Sequence, residues 1–202
     1  AKVLGGPSGD GDPAAAMLRG TRLHLLLEHL PGRPAADWPA AAQAALAGTE
    51  GGLPDADEVA LLLAEARAII TAPDLAQVIA PDPDAQILRE VALTAPLPGI
   101  GVLHGAIDRL IVTATRIHAI DYKSNAAVPP TPAAVPEGIL RQMAAYRAAL
   151  RGIWPDLPVD MSVLWTASRS LMALPDAVLD AAMDRLGSPR DPAALDPVAA
   201  RS

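Results

Sequence analysis

Two short apolar segments, each with one aspartate, constrain the fold more than any other part of the sequence. Residues 102–112 contain the run GAIDRLIV, and residues 116–123 end in IDYK. Both runs are rich in β-forming side chains, which favours two strands. A carboxylate among apolar residues is costly to bury without a partner or a purpose. We therefore expect a hairpin in which Asp108 and Asp121 have a functional role.

The hairpin predicts a definite register. With a two-residue loop at 114–115, Asp108 faces Asp121, and the small residue Ala106 faces Lys123. Opposed carboxylates on one face repel, so a cation is expected between them. Lys123 lies two residues beyond Asp121 and therefore projects from the same face. The loop is the weak step, because Ala-Thr lacks the Asn-Gly chemistry of a tight hairpin turn.

Hydrophobic periodicity predicts the remaining elements. Helices are expected over 13–30, 57–70, 137–151 and near 176–186, and strands over 87–94, 102–112, 116–123 and 159–166. The first three strands form a meander. This order predicts an α/β fold with one small mixed sheet flanked by helices. We expect residues 1–12 to be a flexible linker or fragment edge, 13–190 the domain and 191–202 a tail.

The composition excludes several kinds of site. The 202 residues include no cysteine, which rules out disulfides, zinc-thiolate sites and an iron-sulfur cluster. No Gly-rich phosphate-binding motif is present, so no nucleotide site is expected in this chain. The apolar stretches are too short for the roughly 18 residues of a membrane span, and no signal-like segment opens the chain. We expect a cytoplasmic protein without a membrane partner.

The charge distribution gives two opposing indications. A formal net charge of −7 disfavours nucleic-acid binding through bulk electrostatics. Residues 108–151, however, contain six basic side chains against three acidic ones. The chain also has 14 arginines but only two lysines, Lys2 and Lys123. A lysine at position 123 therefore indicates a role in which the larger guanidinium of arginine would not serve.

Two carboxylates and a lysine are the groups that phosphodiester hydrolysis requires. Carboxylates bind hard divalent cations such as Mg²⁺, which polarise a phosphate and help to ionise water. An ammonium can orient the attacking water or stabilise the charge that develops on the phosphate. The alternative is an ordinary strand end with a surface ion pair. The D-x-K triplet alone is compatible with both interpretations.

Four runs resemble a known family. RGTRLHLLLEHL, GAIDRL, IDYKSN and QMAAYRAAL are similar in order and spacing to the C-terminal PD-(D/E)xK nuclease domain of the RecB/AddA helicase-nucleases, and VDMSVLWTASRSLMALP is most similar to AddA. The resemblance spans about residues 19–174. It implies a restriction-endonuclease-like core and a Mg²⁺-dependent DNA exonuclease, with Mn²⁺ as a substitute, that processes double-strand breaks in bacteria. The implied partners are DNA, a helicase portion of the same polypeptide and an AddB-like subunit.

The resemblance also assigns individual residues. It implies three catalytic residues, Asp108, Asp121 and Lys123, and three metal ligands, His24, Asp108 and Asp121. Gln142 and Tyr146 match the family's Q-x-x-x-Y motif, and Glu90 falls where many members have an acid. For His24 the alternative is a packed helical histidine, and for the Gln-Tyr pair a helix face that docks on the sheet.

Two other functions stay open from the sequence. One is a non-catalytic domain of the same fold that binds DNA ends or docks a subunit. The other is a stand-alone metal-dependent hydrolase of a small phosphoester. A channel open at both ends would favour the nuclease, and a closed pocket would favour the small-ester hydrolase.

Overall fold

A computed structural model describes residues 13–80, 83–97, 99, 101–125 and 127–186. Within these ranges the helices are α1 Pro13–His29, α2 Trp38–Ala47, α3 Ala56–Ile70, α4 Ala76–Ile79, α5 Glu137–Ile153 and α6 Asp176–Leu186. The strands are β1 Gln86–Leu97, β2 Gly101–Val112, β3 Ile117–Lys123, β4 Val159–Trp165 and β5 Ser170–Ala173. The expected linker at 1–12 and tail at 191–202 lie outside the described residues.

The strands form one sheet in sequence order, β1 to β5. β1, β2 and β3 are antiparallel, as the meander prediction required, and β4 runs parallel to β3. The parallel pair follows from α5, which crosses over between these two strands. The predicted α/β fold with a small mixed sheet is confirmed. The sequence did not predict α2, whose alanine-rich run has weak periodicity, or the four-residue β5.

Helices cover both faces of the sheet. On one face the leucine stripe of α1 is fully buried with α2 and α3 against Ile120 and Leu164. On the other face α5 and α6 bury Met143 and Leu179 against Ala119 and Val163. No helix in the described ranges has the length and hydrophobicity to cross a membrane. The sheet is therefore the central layer, and its strand ends remain available for chemistry.

A buried arginine joins the two helices of the second face. Arg147 of α5 is only 3% exposed, and its guanidinium donates to Asp180 and, at 2.6 Å, to Asp176, both on α6. Arg151 also donates to Asp176, at 3.1 Å. The hydrogen bond from Arg147 holds the pKa of Asp176 below its ordinary value. Since a buried cation is costly without counter-charges, α6 is tied to α5 electrostatically.

This cluster predicts an acid-sensitive contribution to stability. A carboxylate with a depressed pKa in the folded state stabilises the fold above its unfolded pKa of about 3.9, and this contribution is lost as the pH falls through the lower folded value. Asp176→Asn should therefore reduce the free energy of unfolding at pH 7 and reduce its loss on acidification. Urea unfolding at pH 7 and pH 3 measures both. Asp74→Asn, an exposed carboxylate outside this cluster, is the control, and equal pH slopes in wild type and Asp176→Asn would contradict the prediction.

Candidate active site

The β2–β3 hairpin has the register that the sequence predicted. Arg109 pairs with Ile120, and the pairing continues to Val112 and Ile117. The turn is closed by Thr113, whose hydroxyl accepts the N–H of Arg116 at 3.0 Å. This side-chain bond supplies the turn closure that Ala-Thr lacks.

The backbone pairing of β2 with β3 runs from Val112, next to the turn, to Arg109. Asp108 is the first residue of β2 beyond the paired region. The Asp108 carboxylate accepts the backbone N–H of Tyr122 at 2.6 Å, so a side chain takes the bond that a strand carbonyl would otherwise accept. The two strands separate beyond this point. The two outer pairs that the hairpin predicted, Asp108 with Asp121 and Ala106 with Lys123, are therefore not part of the ladder, and Ala106 pairs with Ala92 of β1. Asp108 thus marks the fork between β2 and β3.

Glu90 lies on β1 opposite this fork. The pairs on either side of it join Arg89 to Arg109 and Val91 to Ile107, which places Glu90 across from Asp108. Its φ of 46° is in the left-handed region, which is strained for a residue with a side chain. Such strain is concentrated at functional sites, where the surrounding structure holds it in place. The match of Glu90 to the acid that many family members have at this place stays a prediction.

Lys123 forms a buried ion pair with Asp121. The ammonium Nζ lies 2.6 Å from Asp121 Oδ2, and the two residues are 8% and 0% exposed. A buried pair of this kind is stable only when its remaining donors and acceptors are also matched. Lys123 meets this requirement with a second bond, since Nζ donates to Gln142 Oε1 on α5 at 3.2 Å.

The bond to Gln142 is one link of a directional chain. Gln142 Nε2 donates to Tyr146 Oη at 2.9 Å, and that hydroxyl donates to the carbonyl of Ala106 at 3.1 Å. A carbonyl can only accept and an ammonium can only donate, so both ends fix the direction of every bond. Burial raises the pKa of Tyr146, although the bond from Gln142 acts in the opposite direction. The raised pKa keeps the hydroxyl protonated. The Q-x-x-x-Y pair therefore positions the lysine.

Gly105 leaves the space that this chain needs. A Cβ at this position would lie 2.3 Å from Tyr146 Oη and 2.6 Å from its ring. Glycine is thus required for steric reasons, and the sequence analysis missed it although it opens the GAIDRL run. Gly20 of α1 plays a similar part, because its Cβ would lie 2.7 Å from Ser124 Oγ, just beyond β3.

The close approach of α1 brings His24 to the fork. Its Nδ1 lies 3.6 Å from Asp108 Oδ1, and its ring meets the Tyr122 ring edge-on with centroids 5.6 Å apart. Of the residues proposed as metal ligands, His24 therefore lies beside Asp108, and Asp121 is paired with Lys123.

The donor chemistry fits a hard divalent cation. Within the described ranges, no three His, Cys, Asp or Glu side chains are arranged so that they could already share one ion. Mg²⁺, however, retains several waters and binds through one or two carboxylates. Asp108 and Asp121 could supply carboxylate oxygens to such an ion, and His24 could supply an imidazole nitrogen, which Mn²⁺ also accepts.

Comparison with known proteins identifies a family. A family model described as the PD-(D/E)XK nuclease superfamily matches residues 1–193. No curated protein matches the chain.

The contact between Gly105 and Tyr146 predicts a strong coupling. Gly105→Ala should destabilise the fold by about 1–3 kcal/mol, because the methyl group overlaps the tyrosine ring. In a Tyr146→Leu background the same substitution should cost much less, since the ring is absent. Gly152→Ala is the control: nothing lies within 4 Å of its Cβ, and alanine should stabilise α5 by up to about 1 kcal/mol. Chemical unfolding of the four variants measures the coupling, and additive effects would contradict it.

Proposed function

The chain belongs to the PD-(D/E)XK nuclease superfamily, and we propose that it is the divalent-metal-dependent DNA exonuclease domain of a bacterial helicase-nuclease, most similar to AddA. The observation that carries the proposal is that Asp108 bonds to the N–H of Tyr122, the residue between Asp121 and Lys123, and that these two form a buried ion pair. The ammonium of Lys123 is 2.6 Å from Asp121 and also donates a hydrogen bond to Gln142. An ion pair on the surface would not need this second, buried partner.

Asp108 and Asp121 would hold Mg²⁺, or Mn²⁺ in its place, with His24 as a further ligand. When bound, the cation supplies Lewis-acid polarisation of the phosphate and a lower pKa for water. The N–H of Tyr122 fixes the Asp108 carboxylate, so this ligand is oriented before any ion arrives. Fixed ligands of this kind reduce the reorganisation that binding requires.

Lys123 acts on the reacting groups rather than on the metal. Its ammonium has three donors, so it can keep the Gln142 bond and still direct an N–H to the attacking water or to a phosphate oxygen. Stabilisation of charge in the transition state is the usual role of such a pre-positioned cation. The chain through Gln142 and Tyr146 to the Ala106 carbonyl prevents the lysine from turning away.

The charge of the chain supports a larger assembly. A domain with net charge −7 binds DNA weakly through its bulk field, although residues 108–151 carry an excess of basic side chains. A helicase portion of the same polypeptide, with an AddB-like subunit, would hold the DNA and feed it to the fork. In this arrangement residues 13–190 form the nuclease domain, with flanking segments at 1–12 and 191–202, in the bacterial cytoplasm, and the activity serves double-strand break repair.

Metal should stabilise the fold. An ion that binds only the folded state at ten times its Kd adds about 1.4 kcal/mol of stability. Millimolar Mg²⁺ or Mn²⁺ should therefore raise the Tm of the wild type, and Asp121→Asn and Asp108→Asn should abolish the rise. His24→Asn should weaken it, whereas Asp160→Asn, an exposed aspartate of β4, should leave it intact. Differential scanning fluorimetry measures these shifts, and an equal rise in wild type and Asp121→Asn would contradict the metal site.

Substitution of Lys123 should reduce the rate of cleavage without reducing metal binding. Lys123→Ala should reduce the cleavage rate of linear DNA about a hundredfold to a thousandfold, because a transition-state contact is lost. Its metal-dependent rise in Tm should persist. Lys123→Arg should restore little activity, since the planar guanidinium places its charge differently. The assay uses the chain alone, or the assembled helicase-nuclease, with Arg116→Ala as the matched loss of charge. Cleavage by Lys123→Ala at the wild-type rate would overturn the D-x-K assignment.

A further inference from the structure

Two arginines lie face to face beside the fork. Arg89 of β1 and Arg109 of β2 are direct cross-strand partners. Directly opposed residues share one face of the sheet, and like charges in such positions repel. Neither residue belongs to the metal site or to the lysine chain. A pair of this kind destabilises the fold unless an anion joins it.

Among the described residues, no carboxylate forms a hydrogen bond or salt bridge with Arg109. The residue is 1% exposed, and its guanidinium donates to the carbonyl of Ile79 at 2.8 Å and to Tyr122 Oη at 3.4 Å. Its Nε is buried without a hydrogen-bond partner. Neither acceptor is charged: one is a backbone carbonyl, and burial raises the pKa of the Tyr122 phenol, which keeps it protonated. The positive charge of Arg109 is therefore not compensated by a carboxylate among its hydrogen-bond partners, which is costly in the interior.

Arg89, the cross-strand partner of the buried Arg109, is exposed. Its guanidinium makes a long bond of 3.4 Å to the carbonyl of Pro31, just beyond α1. Partial burial of the guanidinium, and then the charge of Arg109, lower the pKa of Arg89, whereas Tyr122 and Glu28 of α1 raise it. No salt bridge to either arginine is formed within the described ranges of the chain. The surroundings thus favour an added negative charge at Arg89.

The pair lies directly beside the proposed active site. Arg109 follows Asp108, and Arg89 precedes Glu90. Tyr122 connects the two regions, since its hydroxyl contacts Arg109, its ring contacts His24 and its N–H bonds to Asp108. An anion at Arg89 would therefore be bound close to the fork, on the face of the sheet that α1 covers.

We propose that Arg89 and Arg109 form a binding site for a phosphate of the nucleic-acid strand that neighbours the phosphate to be cleaved. The inference rests on the proposed nuclease function. Arg89 makes the direct contact, because its guanidinium is exposed and can donate two parallel bonds to phosphate oxygens. Arg109, buried next to Arg89, strengthens the contact because its positive charge attracts the phosphate. The site recognises the backbone and not the bases, which suits a nuclease that must act on any sequence.

DNA binding without cleavage tests the proposal. Fluorescence anisotropy with a labelled single-stranded oligonucleotide in EDTA excludes both metal and turnover, and a KCl series gives the slope of log K against log salt. Arg89→Gln should weaken binding about tenfold, the effect of one charged hydrogen bond. It should also reduce the magnitude of the slope by about 0.7, the contribution of one phosphate contact on a single strand. Arg116→Gln removes the same charge from the hairpin turn and should leave the slope unchanged.

The Tm of the Arg89 variants shows whether Arg89 serves binding or only the stability of the fold. Arg89→Gln should keep or raise the Tm, because it removes a like-charge contact, whereas a merely structural arginine would lower it. Arg89→Lys should bind with intermediate affinity, since it keeps the charge and loses the two-pronged contact. The inference is overturned if Arg89→Gln and Arg116→Gln bind DNA equally, including the case in which no variant binds. Arg89-dependent binding without cleavage by the wild type would instead refute the proposed nuclease activity and leave the phosphate site standing.

Discussion

The hydrogen bond from the Tyr122 N–H to the Asp108 carboxylate decides where β2 and β3 part. Up to Arg109 the strands bond through their backbones, and beyond it a side chain has replaced the backbone acceptor. The bond satisfies a buried N–H that the parting would otherwise leave without a partner. It also places a buried carboxylate inside the sheet at the point where the pairing of β2 with β3 ends. One interaction therefore orients Asp108 and compensates for the lost strand pairing.

The lysine is held close to this point. Lys123 contacts Asp121 on its own strand and Gln142 from α5. Because the chain of bonds through Tyr146 ends on a carbonyl of β2, both strands of the fork share in holding one ammonium. Helix α1 approaches from the opposite face and adds His24. The candidate site is thus formed by side chains of the sheet and of both layers of helices.

Local patterns predicted much of this arrangement, and long-range contacts account for the rest. The register of the hairpin follows from the spacing of two β-forming runs, and α6 begins and ends where its periodicity indicates. The roles of Gly105 and of Gln142 depend on how closely α5 approaches β2, which no local pattern encodes. The strained φ of Glu90 is likewise imposed by its neighbours and not by its own preference. The family resemblance supplied His24 as a candidate, and its role as a ligand stays a prediction.

The position of α5 in the chain has a consequence for synthesis on the ribosome. The carboxylates of the fork and the lysine are translated before Gln142 and Tyr146, and β4, which completes the centre of the sheet, comes later still. A nascent chain that has reached only β3 therefore has its acidic and basic groups but lacks Gln142, the second partner of the ammonium. Since domains fold as units, these groups become aligned only after α5 has emerged and docked. Late assembly of this kind would keep an unfinished polypeptide from damaging the nucleic acids around it.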